Sequence, residues 1–207
     1  MNYKANIGIV DYGMGNIGSI VNILKKIGCL NVNIISERND FTKAEKIILP
    51  GVGSFDSAIE KIDKKFSIDF LKEKIITKNV PTLGICLGMQ ILTQSSEEGK
   101  LAGLSLVKAK TKKITSTNGL KIPHMGWNYV NVKKKENLCD GLDNKDFYFV
   151  HSYYVECENE QDVLLETNYH KSFTSAFSSG NIYGVQFHPE KSHKHGFKLF
   201  ENFIKIC

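Results

Sequence analysis

Cys86 lies between two glycines in the string Gly84-Ile85-Cys86-Leu87-Gly88, where a β-rich run gives way to a helical one. This G-x-C-x-G string is a nucleophile elbow with sulfur in place of the serine oxygen. The glycines allow a tight strand-to-helix turn, because larger side chains there would clash with neighbouring strands. Such a turn lifts the sulfur clear of the sheet and places it at a helix N-terminus, which favours the thiolate. The backbone N–H of Leu87 then points to where an oxyanion would form. A buried structural cysteine could carry the same string, so a catalytic reading needs a base.

Gly184-Val185-Gln186-Phe187-His188-Pro189-Glu190 supplies one. A thiol needs a histidine to take and return its proton, and the histidine needs a carboxylate to fix its tautomer. Proline after His188 holds that residue extended, and residues two apart in an extended segment lie on one side. Glu190 can therefore reach the imidazole, giving a triad of Cys86, His188 and Glu190. His124 and His151 are alternative bases, but neither has a carboxylate two residues on. A second loop, Pro50-Gly51-Val52-Gly53, can aim backbone N–H groups into the site, because glycine takes positive φ without strain. Gly51, Val52 and Gly53, with Leu87, are the candidate oxyanion hole. His193 and His195 form an H-x-H without an acidic or cysteine partner at ligand spacing, so no metal is expected.

These residues need a frame. Ala5–Asp11, Val32–Ser36, Lys46–Leu49 and Thr82–Cys86 read as strands. Helical spacing appears from Asn16 to Ile27, after Ser54 (a plausible N-cap) through Phe55, Ala58, Ile59 and Ile62, and from the elbow to Gln94. Strands alternating with helices imply a parallel sheet with right-handed crossovers. The second half changes character: Leu104–Ile114, Trp127–Val132, Phe147–Val155, Val163–Thr167, Phe173–Phe177 and Ile182–Phe187 read as strands with few helices between them. They extend the sheet or add an antiparallel layer, and a helix over His195–Ile206 closes the chain. The expected architecture is a three-layer α/β/α sandwich, with its active site at the carboxyl ends of the strands.

The chain has 207 residues, 42% of them hydrophobic and 24% charged, consistent with one soluble domain over 1–207. No apolar run reaches the length of a membrane span, and the N-terminus lacks the pattern of a secretory signal. A cytoplasmic protein is expected. Cys29, Cys86, Cys139, Cys157 and Cys207 are odd in number and scattered, which argues against a disulfide framework; those outside the elbow read as inert small hydrophobes. The net charge of +5 comes almost entirely from lysine. Nucleic-acid binders favour Arg-rich stripes with interleaved aromatics, so Lys108–Lys113 and Lys133–Lys135 read as solvated or edge-strand lysines.

Taken together, the motifs resemble class I, triad-type glutamine amidotransferases. The resemblance runs through Ile9–Asn16, Leu49–Gly53, Gly84–Gln90, Ser96–Gly99, Pro123–Asn128, Phe147–Tyr153 and Gly184–Ser192. The string Pro123-His124-Met125-Gly126-Trp127-Asn128 is particularly similar to glutaminase subunits of histidine biosynthesis. The resemblance implies a flavodoxin-like fold, no cofactor, and release of ammonia from glutamine through a Cys86 thioester. It implies delivery of that ammonia to a (β/α)8-barrel cyclase subunit in a heterodimer, which makes imidazole glycerol phosphate and AICAR. It assigns Gln90, Glu98, Ser152 and Tyr153 to the amino-acid end of glutamine, and Asn16, His124, Met125, Trp127, Tyr148 and Lys191 to the cyclase interface. Trp127 amid glycines suits an interface anchor as well as a core tryptophan. Gly18 stands where most such subunits carry arginine. The tail Lys191–Gly196 resembles paralogues that feed a sugar amidotransferase in surface-glycan synthesis, which leaves two acceptors open. A non-catalytic docking subunit on the same fold is a third reading.

Overall fold

The computed structural model describes residues 2–115 and 119–206, so Cys207 lies outside the described residues. The first half contains β1 (Tyr3–Val10), α1 (Ile17–Lys26), β2 (Cys29–Ile35), β3 (Lys46–Leu49), α2 (Phe55–Phe66), α3 (Ile68–Thr77), β4 (Thr82–Ile85), α4 (Leu87–Ile91) and β5 (Ser95–Ser96). The second half contains β6 (Ala109–Lys113), β7 (His124–Val132), β8 (Lys145–His151), β9 (Tyr153–Cys157), β10 (Val163–Tyr169), β11 (Lys171–Ser179), β12 (Ile182–Val185) and α5 (His193–Lys205).

Period-two alternation divides the core. Ile7 and Ile9 of β1, Ile48 of β3, Leu83 and Ile85 of β4 and Val185 of β12 face one side of the sheet. Val10, Ile47, Leu49 and Ile182 face the other. The first side is covered by α1, through Ile20, Ile23 and Leu24, and by α5, through Leu199, Phe200 and Phe203. The second is covered by α2, α3 and α4, through Phe55, Ile59, Ile62, Leu71, Ile75 and Met89. Burying each large side chain contributes about 1.5–3 kcal/mol, and this burial on both faces makes the three layers.

The strand order β2-β1-β3-β4-β12-β11-β10-β7-β8 joins two regimes. β1, β2, β3, β4 and β12 pair in parallel. From β11 onward the ladder is antiparallel, and β9 pairs antiparallel with β6. The fold is thus the expected sandwich, with a mostly parallel centre and antiparallel strands added by the second half.

Four elements differ from their sequence-based expectation. The helix after Cys86 ends at Ile91 rather than Gln94, because the chain returns to take its last carbonyls: Leu104 N donates to Ile91 O, and Leu106 N to Leu92 O. Those donors are lost to any ladder, so the strand expected over Leu104–Ile114 shrinks to β6. The run Phe147–Val155 breaks at Ser152 into β8, which pairs with β7, and β9, which pairs with β6 and β11. α3 was not anticipated; Ser67, at φ 64°, turns the chain after α2 and starts it. Among the described residues no helix is long and apolar enough to cross a membrane.

Candidate active site

The carboxyl ends of β3, β4 and β12 meet at Cys86, in the crevice where open α/β sheets bind ligands. Cys86 has φ 54° and ψ −110°, a region that L-residues rarely adopt. Its backbone N–H donates to Val185 O at 2.8 Å, which pins the elbow to β12. The flanking glycines have a steric cause. A Cβ on Gly88 would run into the Leu49 carbonyl oxygen, and one on Gly84 into Gly88. Gly184 on β12 is likewise closed by Met89 and Phe177. Without these hydrogens for side chains, α4 could not sit against β3, β4 and β12. At five residues α4 is a weak dipole, so any stabilisation of a thiolate comes from nearby N–H groups more than from the helix as a whole.

His188 is extended, at φ −101° and ψ 92°, as the following proline requires. Pro189–Lys191 then forms a 3₁₀ turn rather than continuing extended, and the turn carries Glu190 back over the ring. His188 Nδ1 lies 2.8 Å from Glu190 Oε1, with both side chains only 2% exposed. His188 Nε2 is buried without a well-formed hydrogen bond. Burial, the largest influence on the imidazole, lowers its pKa; Cys86 and Glu190 outweigh it and lift the pKa to about 10. The sulfur therefore acts on the ring even without an ideal hydrogen bond, an arrangement common in sites awaiting substrate.

Neighbours that sequence reasoning missed hold this turn. Ser192 Oγ donates to His188 O at 2.6 Å and accepts from Tyr148 N at 3.0 Å. A Cβ on Gly196 would strike the Pro189 carbonyl oxygen, so that glycine lets α5 approach the turn. Gln186, one strand-end before His188, points its Nε2 at Cys86 Sγ across 3.7 Å, and its Oε1 accepts from Gln90 Nε2 at 3.0 Å. A lone glutamine in the otherwise apolar run Ile182–Phe187 is the signal the sequence offers for it.

The loop Pro50–Gly53 lies against the elbow. Tyr12 Oη donates to Pro50 O at 2.7 Å, and a Cβ on Gly51 would meet both that hydroxyl and Gly88 N. Gly53 has φ +113°, and Val52 is exposed. Leu87 follows Cys86 as the first residue of α4, so its N–H has no intrahelical acceptor.

Gln90, Glu98, Ser152 and Tyr153 line one cavity of about 220 Å³, together with Gly53, Pro123, Val150 and His151. That is below the ~300–1,000 Å³ of sites for drug-sized molecules, and suits a single amino acid. Burial pushes the Glu98 carboxyl up. Glu98 Oε2 accepts the Phe55 N–H at 2.9 Å, so it, and not the Ser54 side chain, caps α2. Asp56 on α2 accepts from Lys100 N and Leu101 N, which fastens the Glu98 segment to the helix.

Of the residues assigned to a partner face, Met125 and Trp127 are 62% and 47% exposed. Asn16 and Tyr148 are half-buried, and Lys191 is exposed with its Nζ 5.5 Å from the Tyr148 ring centroid. His124 differs from its sequence-based place. It is 3% exposed and turned inward, because its position on β7 sends its ring between Phe149 and Tyr169. Neither His124 nor His151 is a base for Cys86; they bond to one another at 2.9 Å. His193 stacks on Trp127, while His195 Nδ1 pairs with Asp146 at 2.9 Å, so the H-x-H is split between two tasks. Among the described residues no group of three His, Cys, Asp or Glu could hold a metal ion. Burial pushes the Cys29 thiol up to about 11 and those of Cys139 and Cys157 to about 12, far from reactive.

A cysteine elbow, a buried His–Glu pair and an amino-acid-sized cavity on a mostly parallel sandwich define a class of thiol amidohydrolase. The class-I glutamine amidotransferase profile matches residues 8–207, and the chain belongs to that family. Within it, the chain is 56% identical to imidazole glycerol phosphate synthase subunit HisH 2 of Methanococcus maripaludis, over 96% of this chain and 98% of that one. It is 47% identical to subunit HisH of Sulfurimonas denitrificans, over 96% and 97% of the two chains. It is 42% identical to subunit HisH 2 of Pseudomonas aeruginosa, over 97% and 99%. Its fold is shared by a solved structure of PurLQS from Thermotoga maritima, with a TM-score of 0.74 at 19% identity over 97% of this chain and 98% of that one.

Proposed function

We propose that the chain is the glutaminase subunit of an imidazole glycerol phosphate synthase, a single cytoplasmic domain over residues 1–207 that works beside a (β/α)8-barrel cyclase. Cys86 attacks the side-chain amide carbon of glutamine with its proton held on His188. Glu190 holds Nδ1–H, leaving Nε2 for the sulfur. The N–H groups of Leu87 and of the Gly51–Gly53 loop receive the oxyanion. Collapse of the tetrahedral intermediate breaks the C–N bond, and His188 returns the proton to the departing ammonia. Water, activated by His188, then hydrolyses the thioester to glutamate and frees Cys86. Gln90, Glu98, Ser152 and Tyr153 hold the amino-acid end of the substrate. Asn16, Met125, Trp127, Tyr148 and Lys191 face the cyclase, to which the ammonia passes for synthesis of imidazole glycerol phosphate and AICAR.

The observation that carries this reading is the buried His188–Glu190 pair, with an unbonded Nε2 beside a cysteine held at positive φ. The test is the Cys86→Ala subunit assembled with the barrel cyclase. Synthesis from glutamine should vanish while synthesis from free ammonia persists. Loss of both activities would make Cys86 structural. A non-catalytic docking role would leave Cys86 unlabelled by a glutamine-analogue electrophile. Failure of the chain to co-purify with the cyclase, and co-purification with a sugar amidotransferase instead, would transfer the ammonia to the other acceptor.

A further inference from the structure

His124 and His151 are buried and take no part in the triad, yet their hydrogen bonds leave only one arrangement of protons. His151 Nδ1 lies 2.8 Å from the Tyr153 carbonyl oxygen, which can only accept, so Nδ1 carries the hydrogen. In the neutral ring His151 Nε2 is then bare, and it accepts from His124 Nδ1 at 2.9 Å. His124 Nε2 is bare in turn and accepts from Asn128 Nδ2 at 3.2 Å, while the same amide donates to Asn168 O at 2.9 Å. Both rings are neutral, each with its hydrogen on Nδ1. Burial supports this: it lowers His124 to about 4, and it is the chief cause lowering His151 to about 3.

The chain of donors ends in the cavity wall. The Tyr153 carbonyl that receives His151 also receives Gln90 Nε2 at 3.1 Å. Gln90 spends its other N–H on Gln186 Oε1. With both amide hydrogens used, Gln90 has only its oxygen to offer a ligand. An amide rotated by half a turn would meet two acceptors with its oxygen and lose both bonds.

We propose that the His124–His151 pair is a positioning device for the glutamine cavity. It holds the Tyr153 carbonyl, and through it the Gln90 amide, so that the Gln90 oxygen is presented to the ammonium of the substrate. This rests on the assignment of Gln90 and Tyr153 to glutamine binding made above. The pair acts through those residues and touches no reacting atom.

The experiment uses the full chain and follows alkylation of Cys86 by iodoacetamide, with glutamine added as protectant. His124→Phe keeps an aromatic ring in the slot between Phe149 and Tyr169 but removes the donor. Loss of one buried hydrogen bond in the chain should raise the glutamine concentration for half-protection about tenfold. His124→Asn carries an amide N–H near the position of Nδ1 and should restore protection. Equal half-protection in wild type and His124→Phe would overturn the proposal and leave the pair as core packing. Should His124→Phe not fold, nitrogen NMR of the wild-type histidines decides. Two neutral Nδ1–H rings at pH 7 support the proposal, and an Nε2–H tautomer at His151 overturns it. Absence of any protection of wild-type Cys86 by glutamine would instead remove the cavity assignment, and this proposal with it.

Discussion

The imidazole of His188 and the carboxylate of Glu190, two residues apart, meet at 2.8 Å in a pocket closed to solvent. A pair this close in sequence is brought together by its own short turn, which Tyr148 of β8 anchors through Ser192. It also needs help to stay dry, which the approach of α5 through Gly196 provides. Burial lowers the His188 pKa, but Cys86 and Glu190 together raise it, to about 10, and favour the charged form.

Glu190→Gln keeps the shape and removes the charge. Turnover of glutamine should fall by about 10³-fold or more, as when the orienting carboxylate of a triad is neutralised. A loss below tenfold would show that His188 needs no orienter. Stability should respond as well. A histidine with a raised folded-state pKa contributes stability that is full below about pH 6.5 and is lost as the pH climbs through about 10. The gap in unfolding free energy between wild type and Glu190→Gln should therefore narrow from pH 6.5 to pH 10 in urea titrations.

Gly88→Ala places a methyl group where the Leu49 carbonyl oxygen stands. Backbone cannot yield cheaply there, so α4 must lift from β3 and carry the elbow with it. A loss of about 1–3 kcal/mol in stability, the range for overpacking, should accompany a fall in Cys86 alkylation rate. The control is Gly18→Ala, where nothing stands within 4 Å of the added carbon, and stability should not fall.

Trp127→Ala tests the outward face of β7. The ring is about half exposed and stacks on His193, at a centroid distance of 5.3 Å, rather than in the core. The isolated chain should keep its melting temperature within a few degrees. Affinity for the barrel cyclase should fall by about 2 kcal/mol or more, the scale of a tryptophan hot spot, in a calorimetric titration. A large drop in melting temperature with unchanged affinity would make Trp127 a core residue after all.

The parallel half of the fold was legible because it is local. Lys46–Leu49 is bounded as its apolar run suggested, and the elbow's glycines announce the crossing of α4 over the sheet. The strings around Cys86 and His188 could be read for the same reason, since each is short and carries its own chemistry; the expected reach of Glu190 to His188 stands at 2.8 Å. What was hidden is non-local. His124 lies in a string that resembles an interface, but its side chain is claimed by His151, 27 residues away. Gln186 and Ser192 stand within the motif around His188, yet their partners, Cys86, Gln90 and Tyr148, come from other elements. The helix after Cys86 stops early because Leu104 and Leu106 return to its carbonyls, and no periodicity within the helix records that.

Tyr12 separates binding from catalysis. Its hydroxyl donates to Pro50 O at 2.7 Å, and it does not line the cavity that Gly53 lines. Burial raises the phenol well above its usual range, so the donor is permanent. Tyr12→Phe keeps the ring among Val10, Leu49 and Phe55 and deletes only that bond. The direct cost should be about 1 kcal/mol of stability. The larger effect falls on the N–H groups of Gly51 to Gly53, which must be fixed before charge develops on the substrate oxygen to be of use. Turnover should therefore drop about tenfold or more, while the glutamine concentration that protects Cys86 from alkylation stays near the wild-type value. A parallel loss of protection would mean that Tyr12 shapes the cavity, and the loop would then belong to substrate binding.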